Sequence, residues 1–111
     1  MPITLDQVAS LSVGDSEVAA IDYKDILDSG ELLTGTPTVV EVTTTDLTLS
    51  NKVVNTVALT IDGRTCAIGK AVQFKVSGQL AAQGLYRVRV TVSTDATVAR
   101  TFVRDVIFTA E

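Results

Sequence analysis

Acids recur at short intervals near the start of this chain: Asp22, Asp25, Asp28 and Glu31, with Tyr23 among them. Oxygen ligands so close together are what a hard cation such as calcium takes. The series lacks the ligand alternation and distal Glu of an EF-hand loop, so it reads as an acidic solvated loop and no metal is expected. Paired acids can also cleave glycosides, but that chemistry needs a cleft and aromatic sugar platforms. Aromatics make up only 5% of the residues. Four arginines gather near the other end, Arg87, Arg89, Arg100 and Arg104. They form either a basic stripe that docks on an acidic neighbour, such as residues 22–31 of another copy, or a solvated face that blunts sticky sheet edges. Cys66 is the single cysteine and histidine is absent. A thiol nucleophile therefore has no imidazole base, and a structural zinc site, which takes about four ligands, has too few. Cys66 reads as a small buried residue on a strand. Gly78 and Gly84 flank a strand-to-strand loop, not the strand-to-helix turn that cradles phosphate. These readings point away from an enzyme and call for no cofactor.

Positioning these side chains falls to short strands. Val72, Phe74 and Val76 alternate with Gln73, Lys75 and Ser77, and Tyr86, Val88, Val90 and Val92 with Arg87, Arg89, Thr91 and Ser93. Period-two alternation puts one set in a core and the other in water. A final strand runs to Thr109. Its apolar residues Phe102, Val106 and Phe108 share parity with Arg100 and Arg104, which predicts a bulge near Arg104–Asp105. Upstream, strands are expected at Glu17–Tyr23, Thr38–Thr43, Leu47–Leu49, Val53–Ile61 and Arg64–Ile68. Turns fall at Ser50–Lys52 and at Asp62–Gly63, the latter a strong hairpin signal. Residues 24–33 read as a helical turn or an irregular crossing loop. Seven to nine short strands with frequent turns are the pattern of an antiparallel immunoglobulin-like β-sandwich, with a small closed barrel as the alternative. Residues 1–16 read as an N-terminal arm, tied down by a partner more readily than by the domain at 17–111.

With 46% hydrophobic residues in 111, the chain suits a single β-branched core. No apolar run reaches the roughly 20 residues of a membrane helix, and the start lacks the basic and apolar regions of a signal peptide. No membrane partner is expected, and a product made in a cytoplasm is. The net charge of −4 argues against nucleic acid as a partner. Residues 1–55 hold nine acids and two bases, whereas residues 56–111 hold four acids and seven bases. The halves either steer copies into head-to-tail assembly or cancel one another once their strands interleave.

Residues 74–78 (Phe-Lys-Val-Ser-Gly), 84–94 (Gly-Leu-Tyr-Arg-Val-Arg-Val-Thr-Val-Ser-Thr) and 104–108 (Arg-Asp-Val-Ile-Phe), with the Asp22–Glu31 loop, resemble a group of small tailed-bacteriophage virion proteins. The resemblance spans roughly residues 15–110. It departs at Gln79, where a second Gly is usual, at Asp95–Thr97, where a Gly-Arg turn is common, and in lacking a Trp in the first loop. It implies an Ig-like sandwich without catalytic residues, assembled in the host cytoplasm onto a virion as a homo-oligomer. Its partners would be tail, fiber or major capsid proteins. The role implied is fiber–tail adaptor or, alternatively, capsid decoration. A carbohydrate-binding Ig-like module that uses loop residues such as Tyr23 is the other reading.

Overall fold

The computed structural model of the protein describes residues 2–4, 8–61, 63–80 and 84–111. These residues form no helix and ten strands: β1 (Pro2–Thr4), β2 (Val8–Leu11), β3 (Glu17–Asp22), β4 (Leu33–Glu41), β5 (Thr48–Val54), β6 (Leu59–Ile61), β7 (Arg64–Cys66), β8 (Ala71–Ser77), β9 (Leu85–Thr94) and β10 (Thr101–Ala110). One four-stranded sheet has the order β1-β3-β8-β5 and the other β2-β10-β9-β4, with β6-β7 as a separate hairpin. β1 runs parallel to β3 and β2 parallel to β10, and every other pairing is antiparallel. The order β3-β8-β5 facing β4-β9-β10 is the B-E-D and C-F-G arrangement of an immunoglobulin-like sandwich.

Alternation dictates the core. Val72, Phe74 and Val76 of β8 and Tyr86, Val88, Val90 and Val92 of β9 turn inward and are buried. Phe74 meets Phe108 edge-on across the core, with centroids 6.3 Å apart and planes at 89°. That is a favoured aromatic geometry, with the positive ring edge on the negative face. A second, smaller core of Ala20, Ile61, Cys66 and Ala71 lies where the β6–β7 hairpin folds onto the outer face of β3 and β8.

Tyr86 builds the corner between β8 and β9. Its hydroxyl accepts the Leu80 N–H at 2.8 Å and donates to Asp46 Oδ2 at 3.0 Å. A tyrosine at the start of this strand, bonded to backbone just upstream, is the tyrosine corner of Ig-type sandwiches. Gly78 completes the turn at φ +85°, and a Cβ there would lie 2.6 Å from the Asp46 carbonyl oxygen. Glycine is required on both counts.

Several expectations about boundaries are corrected. Ser50–Lys52 is no turn: it lies inside β5, where the pairing with β8 shifts register between Ser50 and Val53 and Asn51 takes φ +52°. The run Val53–Ile61 is not one strand, because β5 ends at Val54 and β6 starts only at Leu59. The second hairpin strand stops at Cys66. The bulge expected near Arg104–Asp105 is absent, since β10 pairs with β9 in unbroken register from Thr101 to Thr109. Residues 24–33 are turns and loop until β4 begins at Leu33. The hairpin expected at Asp62–Gly63 pairs Ile61 with Arg64, and Gly63 takes φ +76°. Asp62 itself lies outside the described residues, as do Ala81–Gln83 of the Gly78–Gly84 loop and Met1 and Leu5–Gln7 of the N-terminal arm. Within that arm, Val8–Leu11 pairs with Ile107–Ala110 of the same chain, and Leu11 is buried in the main core.

Candidate functional site

Three connections meet at one end of the sandwich: residues 23–32, 67–70 and 95–100. Backbone bonds tie them together, with Tyr23 N–H donating to the Lys70 carbonyl at 2.9 Å, Leu33 N–H to the Gly69 carbonyl at 2.7 Å and Asp95 N–H to the Leu32 carbonyl at 2.9 Å. The Asp95 carboxylate returns the last of these by accepting Leu32 N–H at 2.9 Å. A shallow cleft of about 300 Å³ opens between Asp28–Glu31 and Asp95–Thr97.

Arg100 organises this end. Its Nε donates to Glu31 Oε2 at 3.1 Å and its Nη2 to Glu31 Oε1, making a two-point contact with a buried carboxylate. The same Nη2 donates to the Ile26 carbonyl at 2.9 Å and stands 3.7 Å from Asp28 Oδ2. Asp28 N–H donates to Glu31 Oε1 at 2.9 Å. The Arg100 guanidinium, helped by the Asp28 amide and opposed by burial, holds the Glu31 carboxyl down at about 2. Such charge-assisted pairs fix loop geometry.

Asp22 is buried beside the hairpin. Its Oδ1 accepts Lys24 N–H at 2.8 Å and the Cys66 thiol at 3.3 Å, and its Oδ2 accepts from Arg64 Nη2 at 3.3 Å. Arg64 Nη2 also donates to Asp25 Oδ2 at 2.9 Å. The acids of residues 22–31 are thus paired with Arg64 and Arg100 of the same chain. Burial first, and the neighbouring Asp22 carboxylate second, push the Cys66 thiol up to about 12. Among the described residues, no group of three or more His, Cys, Asp or Glu is set to hold a metal ion.

The four arginines do not form one stripe. Arg87 and Arg89 stand on the outer face of the β4-β9-β10 sheet with Asp105. Arg89 Nε donates to Asp105 Oδ1 at 2.9 Å and its Nη2 to Oδ2 at 3.2 Å, while Arg87 Nη1 lies 3.8 Å from Oδ2. Arg104 has the parity of the core residues, yet it is exposed. Its guanidinium lies 5.7 Å from the Phe102 ring centroid, and that of Arg100 lies 5.0 Å from it. Both distances suit cation–π attraction. The apolar stem of Arg104 lets the charge reach water from an inward position, so β10 needs no bulge there. Tyr23 is buried and stacks on Phe102 with centroids 6.2 Å apart, which removes it as an exposed sugar platform.

Three organising residues escaped the reading of the sequence. Asn55 is buried and uses its whole amide: Nδ2 donates to the Val57 carbonyl at 2.8 Å and the Ala67 carbonyl at 3.0 Å, and Oδ1 accepts Lys70 N–H at 3.1 Å and Ala71 N–H at 3.0 Å. Glu41 closes the β4–β5 turn by accepting Thr43 Oγ1 at 2.5 Å, Thr44 N–H, Thr44 Oγ1 at 2.7 Å and Leu47 N–H at 3.1 Å. Tyr86 was read only as a core residue. A polar residue inside an apolar alternation, as Asn55 is after Val53–Val54, was the available signal.

No protein-family model matches the chain, and no curated protein matches it. A solved structure described as "Solution Structure of Amebosin" is similar over 98% of this chain and 95% of that one, at 13% identity and a TM-score of 0.43. A likeness that distant carries no argument about function.

Proposed function

We propose that the protein is a non-enzymatic structural component of a tailed-bacteriophage virion, a fiber–tail adaptor that docks on other virion proteins. The observation that carries the reading is the resemblance of residues 74–78, 84–94 and 104–108, which fall on β8, β9 and β10 and their connecting corner. The side-chain chemistry is consistent with it. The charged groups of residues 22–31 and 87–105 are spent largely on holding loops and strands of the chain itself. What faces outward from the β4-β9-β10 sheet includes Val40 and Val103, which suit packing against protein. Capsid decoration is the second reading within the same class.

Immunogold microscopy of virions from the phage that encodes the chain tests both. Label at the junction of tail and fibers supports the adaptor. Label over the head supports decoration. Virions that carry no label, from cells that express the protein, would end the virion reading.

A further inference from the structure

We propose that the outer face of the β2-β10-β9-β4 sheet is the interface of a twofold homodimer of this chain. The proposal stands apart from the virion reading, because it rests on what that face is made of. Its centre is Val40 of β4, Arg89 and Thr91 of β9, and Val103 and Asp105 of β10. The backbone pairing sets Val40 beside Arg89, Arg89 beside Asp105, and Thr91 beside Val103. Val40, Val42 and Val103 are 45%, 41% and 48% exposed, and they surround the ion pair instead of being scattered. No lysine or glutamate points outward from the described residues of the sheet. Protein interfaces are likewise poor in Lys and Glu and rich in Arg.

Other surfaces are less able to pair. The outer face of the opposite sheet is crossed by the β6–β7 hairpin, and its exposed valines, Val18 and Val53, stand beside Lys75 and Gln73 in the strand pairing. The sheets end in four strands: β1 and β2 are only three and four residues long, and the other two are interrupted. β4 bulges between Thr34 and Thr38, where Pro37 stands, and β5 bulges at Asn51. Broken, proline-bearing edges discourage strand addition. The face remains.

The occupant is a second copy because the charges are self-complementary. Arg89 and Asp105 lie at the same level on adjacent antiparallel strands. A twofold axis in the interface plane, running along the β9–β10 seam, lays β9 of each copy over β10 of the other. Arg89 then faces Asp105 of the partner subunit, Asp105 faces Arg89 of the partner subunit, and each Val103 packs over a threonine. The area suffices: strands of four, ten, ten and nine residues, about 4.8 Å apart and rising about 3.3 Å per residue, give a footprint of roughly 500 Å² per copy. Two such footprints reach the roughly 1,000 Å² that a specific interface needs.

Sedimentation equilibrium over a wide concentration range tests the proposal. The wild-type chain should show twice its 11.7 kDa mass. Val103→Glu, or Thr91→Lys where the first variant fails a thermal-unfolding check, should weaken association about tenfold or more. Val18→Glu on the opposite sheet should leave the mass unchanged. The decisive arm uses charge reversal. Arg89→Asp and Asp105→Arg should each be weakly associated alone, yet form a heterodimer when mixed, because every cross-subunit pair is then restored. A wild-type chain that stays monomeric to about millimolar concentration overturns the proposal. So does a dimer untouched by both face variants, or folded charge variants that fail to associate when mixed.

Discussion

Glu31 and Cys66 illustrate how far local contacts move a titrating group. The folded carboxyl of Glu31 titrates at about 2, below its ordinary 4.5, because Arg100 and the Asp28 amide bond its charged form. A carboxyl depressed by folding adds stability that is fully present above its unfolded value and is lost as pH falls through the folded one. The contribution is therefore complete above about pH 4.5 and gone near pH 2. Glu31→Gln should lower the melting temperature at neutral pH and flatten its decline between pH 4.5 and 2. An unchanged pH profile in that variant would show that the pair with Arg100 is thermodynamically silent. Cys66 is shifted the opposite way for a thiol, toward the inert protonated form, by burial and by Asp22. Since the thiolate is the reactive species, a disulfide reagent at pH 8 should label Cys66 only as fast as the protein unfolds. Labelling at the rate of a free thiol would mean that the β6–β7 hairpin opens readily. The residue types at both sites were plain in the sequence, but their partners were not. Glu31 and Arg100 are 69 positions apart and Asp22 and Cys66 are 44, so only the fold brings them together.

At the scale of elements, β8 and β9 were legible because each alternates strictly and packs one face, so period two translates directly into burial. The stretch 48–66 differs from expectation in two ways: turn residues mark what is a bulge inside β5, and the alternation carries on past the break after Val54. Ser50–Lys52 carries turn residues, yet only the pairing with β8 puts the left-handed φ of Asn51 inside a strand, and a polar residue at Asn55 does not by itself name the β7–β8 connection that it binds. Arg104 misled in the converse way: its charge suggested a register shift, whereas its position at the rim lets it face inward and still reach water. The role of Asn55 carries a quantitative expectation. Asn55→Ala leaves the Lys70 and Ala71 N–H groups and the Val57 and Ala67 carbonyls without their side-chain partner. Buried groups stranded in this way cost about 1–3 kcal/mol each, offset where water reaches them. A loss of about 2–4 kcal/mol in urea unfolding is expected, with faster exchange of the Ala71 amide. A loss within about 0.5 kcal/mol would show that the hairpin connection holds without Asn55.

At the scale of the molecule, the acidic and basic halves of the chain are interleaved. Arg64 of the second half holds Asp22 and Asp25 of the first, and Arg100 holds Asp28 and Glu31. The asymmetry that in sequence suggested head-to-tail assembly is thus partly consumed within the fold. The same interleaving shapes how the molecule forms. Ser10 pairs with Thr109 across nearly the whole chain, whereas β9 and β10 are joined by a short loop. Closing a long loop costs entropy that only the completed core offsets, so β2 should dock late and the β9–β10 pair early. Mutations in early contacts slow folding, and those in late contacts speed unfolding. Leu11→Ala and Val88→Ala both remove buried side chains and should each cost about 2–4 kcal/mol. In stopped-flow experiments, Leu11→Ala should act almost wholly on the unfolding rate, and Val88→Ala largely on the folding rate. The reverse assignment would mean that the first strand belongs to the folding nucleus, and that the sandwich assembles from its terminal strands inward.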